Sequence, residues 1–371
     1  MQVHCNHCGR ETRYDIVNWR CECGGAWEPA SILSFNPGKI FHDDYSIWRY
    51  GALIGLDVQR PAKPMGVGWT PLVPVQLEKQ KVFLKLEFLS PSGSFKDRGV
   101  NAMIEQLFFM GVNAVAEDSS GNAGASLAAH AAHFGIKADI YVPASASEEK
   151  KYQIGIYGAN VIPIPGPRKA AEIAAQNSVS PDQAYASHAY NPAYLAGQVT
   201  AAYELWEQLG HQAPDWIICP VAQGGQFLGY WFGFKNLLKA GLITKLPRLV
   251  AVQSAMVAPI FAAWEEGLNH IPEIVPSGKT IAEGVSIANP VRDLRLLQAL
   301  RETDGQVLKI AEEEIIHGQE IMNQQGFFIE PTSALVVSGF RKLVDKIEEN
   351  EIVVLPLTGT GLKSVSKITR N

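Results

Sequence analysis

Four turns in this 371-residue chain carry side chains that could do chemistry. The first is Ser92-Gly93-Ser94-Phe95-Lys96-Asp97. It follows the apolar run 82–89 and precedes a helical pattern opening at Arg98. A lysine there can form a Schiff base with an aldehyde cofactor, and burial beside such a group suits its amine to base work. Taken alone, Lys96 reads as a solvated helix starter. The second turn, Ser119-Ser120-Gly121-Asn122-Ala123-Gly124, opens an Ala-rich helix. Its small residues let backbone N–H groups approach an anion such as a substrate carboxylate. Asn122 adds an amide that could reach a cofactor oxygen; the competing reading is a Ser/Asn N-cap. The third, Pro220-Val221-Ala222-Gln223-Gly224-Gly225-Gln226, suits a phosphate by the same amide-and-dipole reasoning. It matches neither G-x-x-x-x-G-K-[ST] nor G-x-G-x-x-G, which argues against nucleotide and dinucleotide loops. The fourth, Leu355-Pro356-Leu357-Thr358-Gly359-Thr360-Gly361-Leu362-Lys363, puts the Thr358 hydroxyl at the carboxyl end of a strand, where α/β proteins bind ligands. Its plainer reading is a turn before a short tail. An amine, an amide, a phosphate cradle and a hydroxyl are together the set that pyridoxal phosphate needs.

The elements that must position these turns are legible in the apolar pattern. Strands are expected at 82–88, 113–117, 138–142, 160–164, 216–221, 248–253 and 352–357. Helices are expected at 98–111, 123–135, 148–157, 168–177, 194–209, 226–240, 290–302, 312–325 and 333–347. A polar, aromatic connector runs to about residue 65. Alternation of strands and helices argues α/β architecture with mostly parallel sheets, in two open domains.

Four of the five cysteines fall in the first 23 residues, as Cys5-x2-Cys8, twelve residues, then Cys21-x-Cys23. Glycines follow both pairs and let backbone amides point at thiolates. The pattern fits a tetrahedral structural zinc site without an open position. Two disulfides, or a ribbon that has lost its metal, are the alternatives; disulfides need an oxidising compartment. Cys219, in Trp216-Ile217-Ile218-Cys219, reads as a buried strand residue.

The composition, 47% hydrophobic and 19% charged with net charge −5, is that of an ordinary globular protein. It offers no basic stripe for nucleic acid, no apolar run long enough to span a membrane and no signal-peptide pattern. These features lead to the expectation of a cytoplasmic enzyme acting on a small molecule.

From its cysteine knuckles to its C-terminus, the chain resembles the threonine synthase family of fold-type II pyridoxal-phosphate enzymes. Pro91-Ser92-Gly93-Ser94-Phe95-Lys96-Asp97-Arg98-Gly99 is similar to the family's cofactor-lysine segment, which implies Lys96 as Schiff-base residue and Cα proton base. Ser120-Gly121-Asn122 resembles its substrate-carboxylate loop, with residues 119–123 holding the carboxylate. Ala222, Gln223, Gly224, Gly225 and Gln226 stand where the family has its phosphate loop, and Thr358 where it has a hydroxyl partner for the pyridine nitrogen. Phe327 to Ala334 adds to the match. The resemblance implies a tryptophan-synthase-β-like α/β fold with a knuckle at 1–30. It implies a catalytic region over 31–371, with a smaller domain at about 98–200 inserted in a larger one (about 65–97 and 201–371). It also implies pyridoxal 5'-phosphate, structural zinc, an amino-acid substrate and a homodimer.

Three positions depart from the family pattern. Ala123 follows Asn122 where the family has Thr. Asn191-Pro192-Ala193-Tyr194 replaces N-P-x-R. Val285-Ser286-Ile287-Ala288 replaces I-R-I-G. In the family, that Thr and the N-P-x-R Arg help hold the phosphate of O-phosphohomoserine. Losing a charge-assisted hydrogen bond of this kind would cost roughly 1.5–3 kcal/mol. His188, His130 and Lys169 are candidate substitutes. The expected activity is therefore a threonine synthase-like lyase. Its alternatives are a dehydratase, ammonia-lyase or β-replacement enzyme on an unphosphorylated amino acid, and a non-catalytic regulator that holds the cofactor.

Overall fold

The computed structural model describes residues 1–30 and 35–364. In chain order the elements are β1 (Gln2–Cys5), β2 (Glu11–Arg13), β3 (Trp27–Pro29), β4 (Leu72–Leu77), β5 (Gln80–Lys85), α1 (Lys96–Phe109), β6 (Ala114–Glu117), α2 (Asn122–Phe134), β7 (Lys137–Pro143), α3 (Glu148–Gly155), β8 (Asn160–Ile164), α4 (Arg168–Asn177), β9 (Ala184–Tyr185), α5 (Pro192–Gln208), β10 (Trp216–Pro220), α6 (Gly225–Lys239), β11 (Arg248–Ser254), α7 (Pro259–Glu265), α8 (Asp293–Glu302), β12 (Gln306–Ile310), α9 (Glu312–Gln324), α10 (Pro331–Leu343) and β13 (Val353–Pro356). Among the described residues, no helix is long and apolar enough to cross a membrane.

The chain divides into two compact units: residues 1–68 with 96–200, and 69–95 with 201–371. The first holds a parallel sheet of order β8-β7-β6-β9 and a small antiparallel sheet of order β2-β1-β3. Val115 and Ala116 of β6 and Ala138, Ile140 and Val142 of β7 are buried in its core. The segment between the two cysteine pairs is docked in this unit. The Trp19 ring meets Tyr185 and Tyr190 edge-on, each at 4.9 Å, and the Asn191 amide donates to the Tyr14 hydroxyl at 3.0 Å.

The second unit is built on a sheet of order β12-β11-β10-β13-β5-β4, parallel except for β4 on β5. Its core joins Leu84, Ile218, Val250, Val252 and Leu355 of the sheet to Val336, Val337 and Phe340 of α10. Strands buried this way read as continuous apolar runs, which is why the central ones are visible in sequence.

The structure shifts several expected boundaries. α1 opens at Lys96, not Arg98, so the lysine is part of the helix. The helix expected over 333–347 is α10 over Pro331–Leu343, followed by a 3-10 turn. β4, β12 and α7 were not expected. β4 is an edge strand carrying Pro74, β12 has Gln306 and Lys309 interrupting its apolar run, and α7 is seven residues long, too short for helical periodicity to register. The connector before residue 65 contains the 3-10 helix Ile47–Leu53, capped by the Ser46 side chain and burying Trp48 and Tyr50.

Candidate active site

The first unit gathers its chemistry at the carboxyl end of β6. That strand ends in Glu117, and Asp118 and the 119–124 turn lead into α2. Small residues are required here: a Cβ on Gly124 would lie 1.9 Å from the Ser119 carbonyl oxygen. The N-cap of α2 is Gly121, with no side-chain cap, and Asn122 is the first helical residue. The Ser/Asn N-cap reading of this turn is therefore wrong. The Ser119 hydroxyl accepts from the Gly121 N–H at 3.3 Å, and the first-turn amides lie ahead of the intrahelical ladder, as at any helix start. Ala123 is buried.

Lys96 stands at the first turn of α1, half-buried, with Nζ 5.8 Å from the centroid of the Tyr194 ring. The positive end of the helix dipole disfavours a cation there. The next two residues are buried: Asp97 accepts from the Ser126 hydroxyl, and Arg98 Nη1 donates to Thr200 Oγ1 at 3.4 Å. Tyr194 packs on Gly99, buried, and brings no charge to the place where the family pattern has Arg.

Beside these groups lies a pair that sequence reading did not assemble. His188 Nδ1 is 2.7 Å from Glu117 Oε1, with side-chain exposures of 9% and 1%. Burial, reinforced by the charge of Asp118, pushes the Glu117 carboxyl well above its ordinary range. Burial, then the charges of Lys96 and Arg168, pushes His188 well below. Asp118 accepts from the Tyr185 hydroxyl at 2.6 Å and from Arg168 at 3.4 Å. The signal that could have found them is two consecutive acids ending a buried parallel strand, where polar residues are unexpected unless they meet a ligand. The other histidine considered from sequence, His130, is fully buried on α2 with Nδ1 2.9 Å from the Ser126 carbonyl. Lys169 is exposed and pairs with Glu172.

The second unit supplies the other two turns. Gly224 has φ +80° and caps α6; a Cβ there would lie 2.4 Å from Leu296 Cδ2, so only glycine fits. Gly225 and Gln226 open the helix with their amides at its positive end. The Gln226 side chain is buried, and neither of its polar atoms has a hydrogen-bond partner among the described residues. An amide left so costs about 1–3 kcal/mol unless a ligand satisfies it. Gln223 instead accepts from the Val291 N–H at 2.9 Å, and Ala222 packs against the core. Thr358 is fully buried, its hydroxyl 3.0 Å from Ser333 Oγ and 3.5 Å from Glu330 Oε1. Ser94 is bridged through its backbone to Gly359, and its Oγ is buried without a hydrogen-bond partner among the described residues. A phosphate against Gly225 and Gln226, and an aromatic nitrogen against Thr358, fit these donors.

The four clustered cysteines converge. Their sulfurs all lie within 4.8 Å of one another, with Cys5–Cys23 at 3.4 Å and Cys8–Cys21 at 3.7 Å. A backbone amide at Gly25 lowers Cys23 to about 7, whereas burial pushes Cys5 up to about 12. The fifth, Cys219, is buried in β10.

A family model described as pyridoxal-phosphate dependent enzyme matches residues 64–359. The threonine synthase of Methanocaldococcus jannaschii is 31% identical over 98% of this chain and 93% of its own length. That of Methanosarcina acetivorans is 32% identical over 97% and 92%. Among solved structures, the threonine deaminase of T.th. superposes with TM-score 0.67 at 25% identity, covering 78% of this chain and 92% of that one. The fold is thus that of the fold-type II pyridoxal-phosphate enzymes. Within that class, the chain belongs to the threonine synthase family.

Proposed function

We propose that the protein is a threonine synthase-like lyase that releases phosphate from O-phosphohomoserine, with Lys96 as its cofactor lysine and Cα base. The observation that carries this reading is the lysine at the start of α1 beside Tyr194, in a chain that shares nearly its full length with threonine synthases. When bound, pyridoxal phosphate supplies an electron sink for the pair left on Cα. Lys96 would carry the Cα proton, and the amides of Ser119, Ser120, Gly121, Asn122 and Ala123 would hold the substrate carboxylate. Asn122 would meet the cofactor's ring oxygen. Ala222, Gln223, Gly224, Gly225 and Gln226 would hold its phosphate, and Thr358 its ring nitrogen through a neutral hydroxyl.

A second reading, elimination or replacement on an unphosphorylated amino acid, is favoured by one observation. Ala123 and the buried Tyr194 offer no charge to a phosphate, and the nearby strand end brings the Asp118 carboxylate rather than a cation of its own. A substrate panel followed at the cofactor's visible band decides between the two. Phosphate release from O-phosphohomoserine supports the first; ammonia and 2-oxoacid release from serine or threonine supports the second. A bound chromophore unchanged by every amino acid would contradict both.

The cysteine cluster suits structural zinc in a knuckle at 1–30. A tetrahedral site with Zn–S near 2.3 Å needs sulfurs about 3.8 Å apart, and metal would displace the Cys5 proton. A metal assay finding one zinc per chain, lost in Cys8→Ser with Cys21→Ser, is the expected result; a metal-free protein would contradict it. The two compact units support boundaries near residues 97 and 200 between a smaller domain at about 98–200 and a larger one at about 65–97 and 201–371, with residues 1–68 grouped with the former.

A further inference from the structure

We propose that His188, held by Glu117, is a second proton-transferring residue that protonates the departing oxygen of the amino-acid substrate. The inference rests on the lyase reading above. It does not depend on which oxygen leaves: a hydroxyl would depart as hydroxide, and a phosphate monoester dianion as a trianion, unless a proton arrives.

The geometry is that of a relay. His188 and Lys96 both lie against the Tyr194 ring, at 6.1 Å between ring centroids and 5.8 Å from Nζ to the centroid. His188 Nδ1 is 2.7 Å from Glu117 Oε1, which leaves Nε2 as the nitrogen for a ligand. Among the described residues, Glu117 Oε2 is buried with no hydrogen-bond partner. A carboxylate with one bare oxygen in the interior is far more costly than a neutral carboxyl in the same place. Burial and then Asp118 oppose a carboxylate at Glu117 and outweigh Arg168, Lys96 and the His188 backbone amide, which favour it. Burial, then Lys96 on α1 and Arg168 on α4, opposes an imidazolium at His188. Tyr185 on β9 and Tyr194 on α5 complete the groups around the pair, and burial holds both phenols neutral. The resting pair is therefore a neutral carboxyl donating to Nδ1, with the imidazole proton on Nε2.

The transfer balances. As the substrate C–O bond breaks, its electron pair stays on oxygen. The Nε2 proton moves to that oxygen, and the Glu117 proton moves to Nδ1. The imidazole ends neutral and Glu117 ends as carboxylate. Lys96 at that point holds the proton taken from the carbon next to the breaking bond, Cα for a β-oxygen or Cβ for a γ-oxygen whose Cα proton has already left. Its release to water, uptake of a proton at Nε2 and return of the Nδ1 proton to Glu117 restore the starting state. No imidazolium forms beside the Lys96 cation.

Glu117→Gln tests this directly, because Gln can still donate to Nδ1 but has no proton to pass. The probes are paired substrates of one skeleton: serine with β-chloroalanine, and O-phosphohomoserine with 2-amino-4-chlorobutanoate. Chloride departs without a proton. In Glu117→Gln and in His188→Asn, kcat on the oxygen-leaving member should fall about 100-fold while the chloride member is nearly unchanged. The infrared band of a buried neutral carboxyl, present in the cofactor-free protein, should be lost in Glu117→Gln. An equal loss on both members of a pair, or no loss, overturns the relay. If the wild-type protein turns over neither pair, the lyase reading fails instead. Borohydride-fixed cofactor on the variants checks that Lys96 still carries it.

Discussion

Two buried charge clusters, one in each unit, use similar groups to opposite ends. In the second unit, the Lys85 ammonium at the end of β5 is wholly enclosed. It donates to the Thr70 carbonyl, the Glu204 carboxylate and Gln208 Oε1. Glu204 also accepts from the Trp69 N–H at 2.8 Å and lies 3.4 Å from the Thr70 hydroxyl, which donates to Glu87 at 3.0 Å. In the first unit, Glu117 is equally buried but leaves one oxygen bare, and both it and His188 are driven away from their charged forms. A saturated cluster fixes its protons and serves the fold. A cluster one partner short keeps a proton movable, which is what a reaction needs.

The largest contrast should appear in stability. Lys85→Met or Glu204→Gln breaks a buried pair and should cost about 3–5 kcal/mol by urea unfolding. Glu117→Gln, replacing a neutral carboxyl by an amide of the same shape, should cost less than about 1 kcal/mol. Equal costs would erase the distinction between the clusters.

A smaller effect is its pH dependence. The folded Glu117 carboxyl holds its proton above the ordinary value of 4.5, so its contribution is complete below that value. It is lost as pH rises toward the raised folded value. His188, held neutral, contributes in the opposite sense: its share grows as pH rises toward its ordinary 6.5. Between about pH 4.5 and 6.5 the two slopes offset in the wild type, whereas in Glu117→Gln only the His188 share is left, so its urea midpoint should rise with pH relative to the wild type. An unchanged slope would mean that Glu117 is already ionised in the folded protein.

The smallest effect is expected at the exposed pair Lys235–Glu302, 2.8 Å apart and about one-third exposed at each side chain. Lys235→Ala should change stability by no more than about 1 kcal/mol and leave turnover untouched. A larger loss would show that burial is not what separates strong pairs from weak ones here.

The sequence made the loops legible where local chemistry fixes them. Gly224 sits in a left-handed conformation that only glycine takes easily, and Gly124 approaches the Ser119 carbonyl. The apolar runs of β10, β11 and β13 announced the centre of a parallel sheet. What stayed hidden was pairing at a distance. Glu117 and His188 are 71 residues apart, and Lys85 and Glu204 are 119 apart. No periodicity connects such residues; a strand end must first be folded against a loop in one case and against α5 in the other. Capping misled for a different reason, since Asn122 looked like a cap because asparagine favours that role, whereas Gly121 occupies it.

The most direct test of the account distinguishes the two buried-site lysines by chemistry. The holoenzyme is reduced with borohydride, digested and mapped by mass spectrometry. The pyridoxyl group should be found on the peptide containing Lys96, and Lys96→Ala should lose both that adduct and the visible band. An adduct on Lys85 or any other lysine, or a visible band that survives in Lys96→Ala, would contradict it.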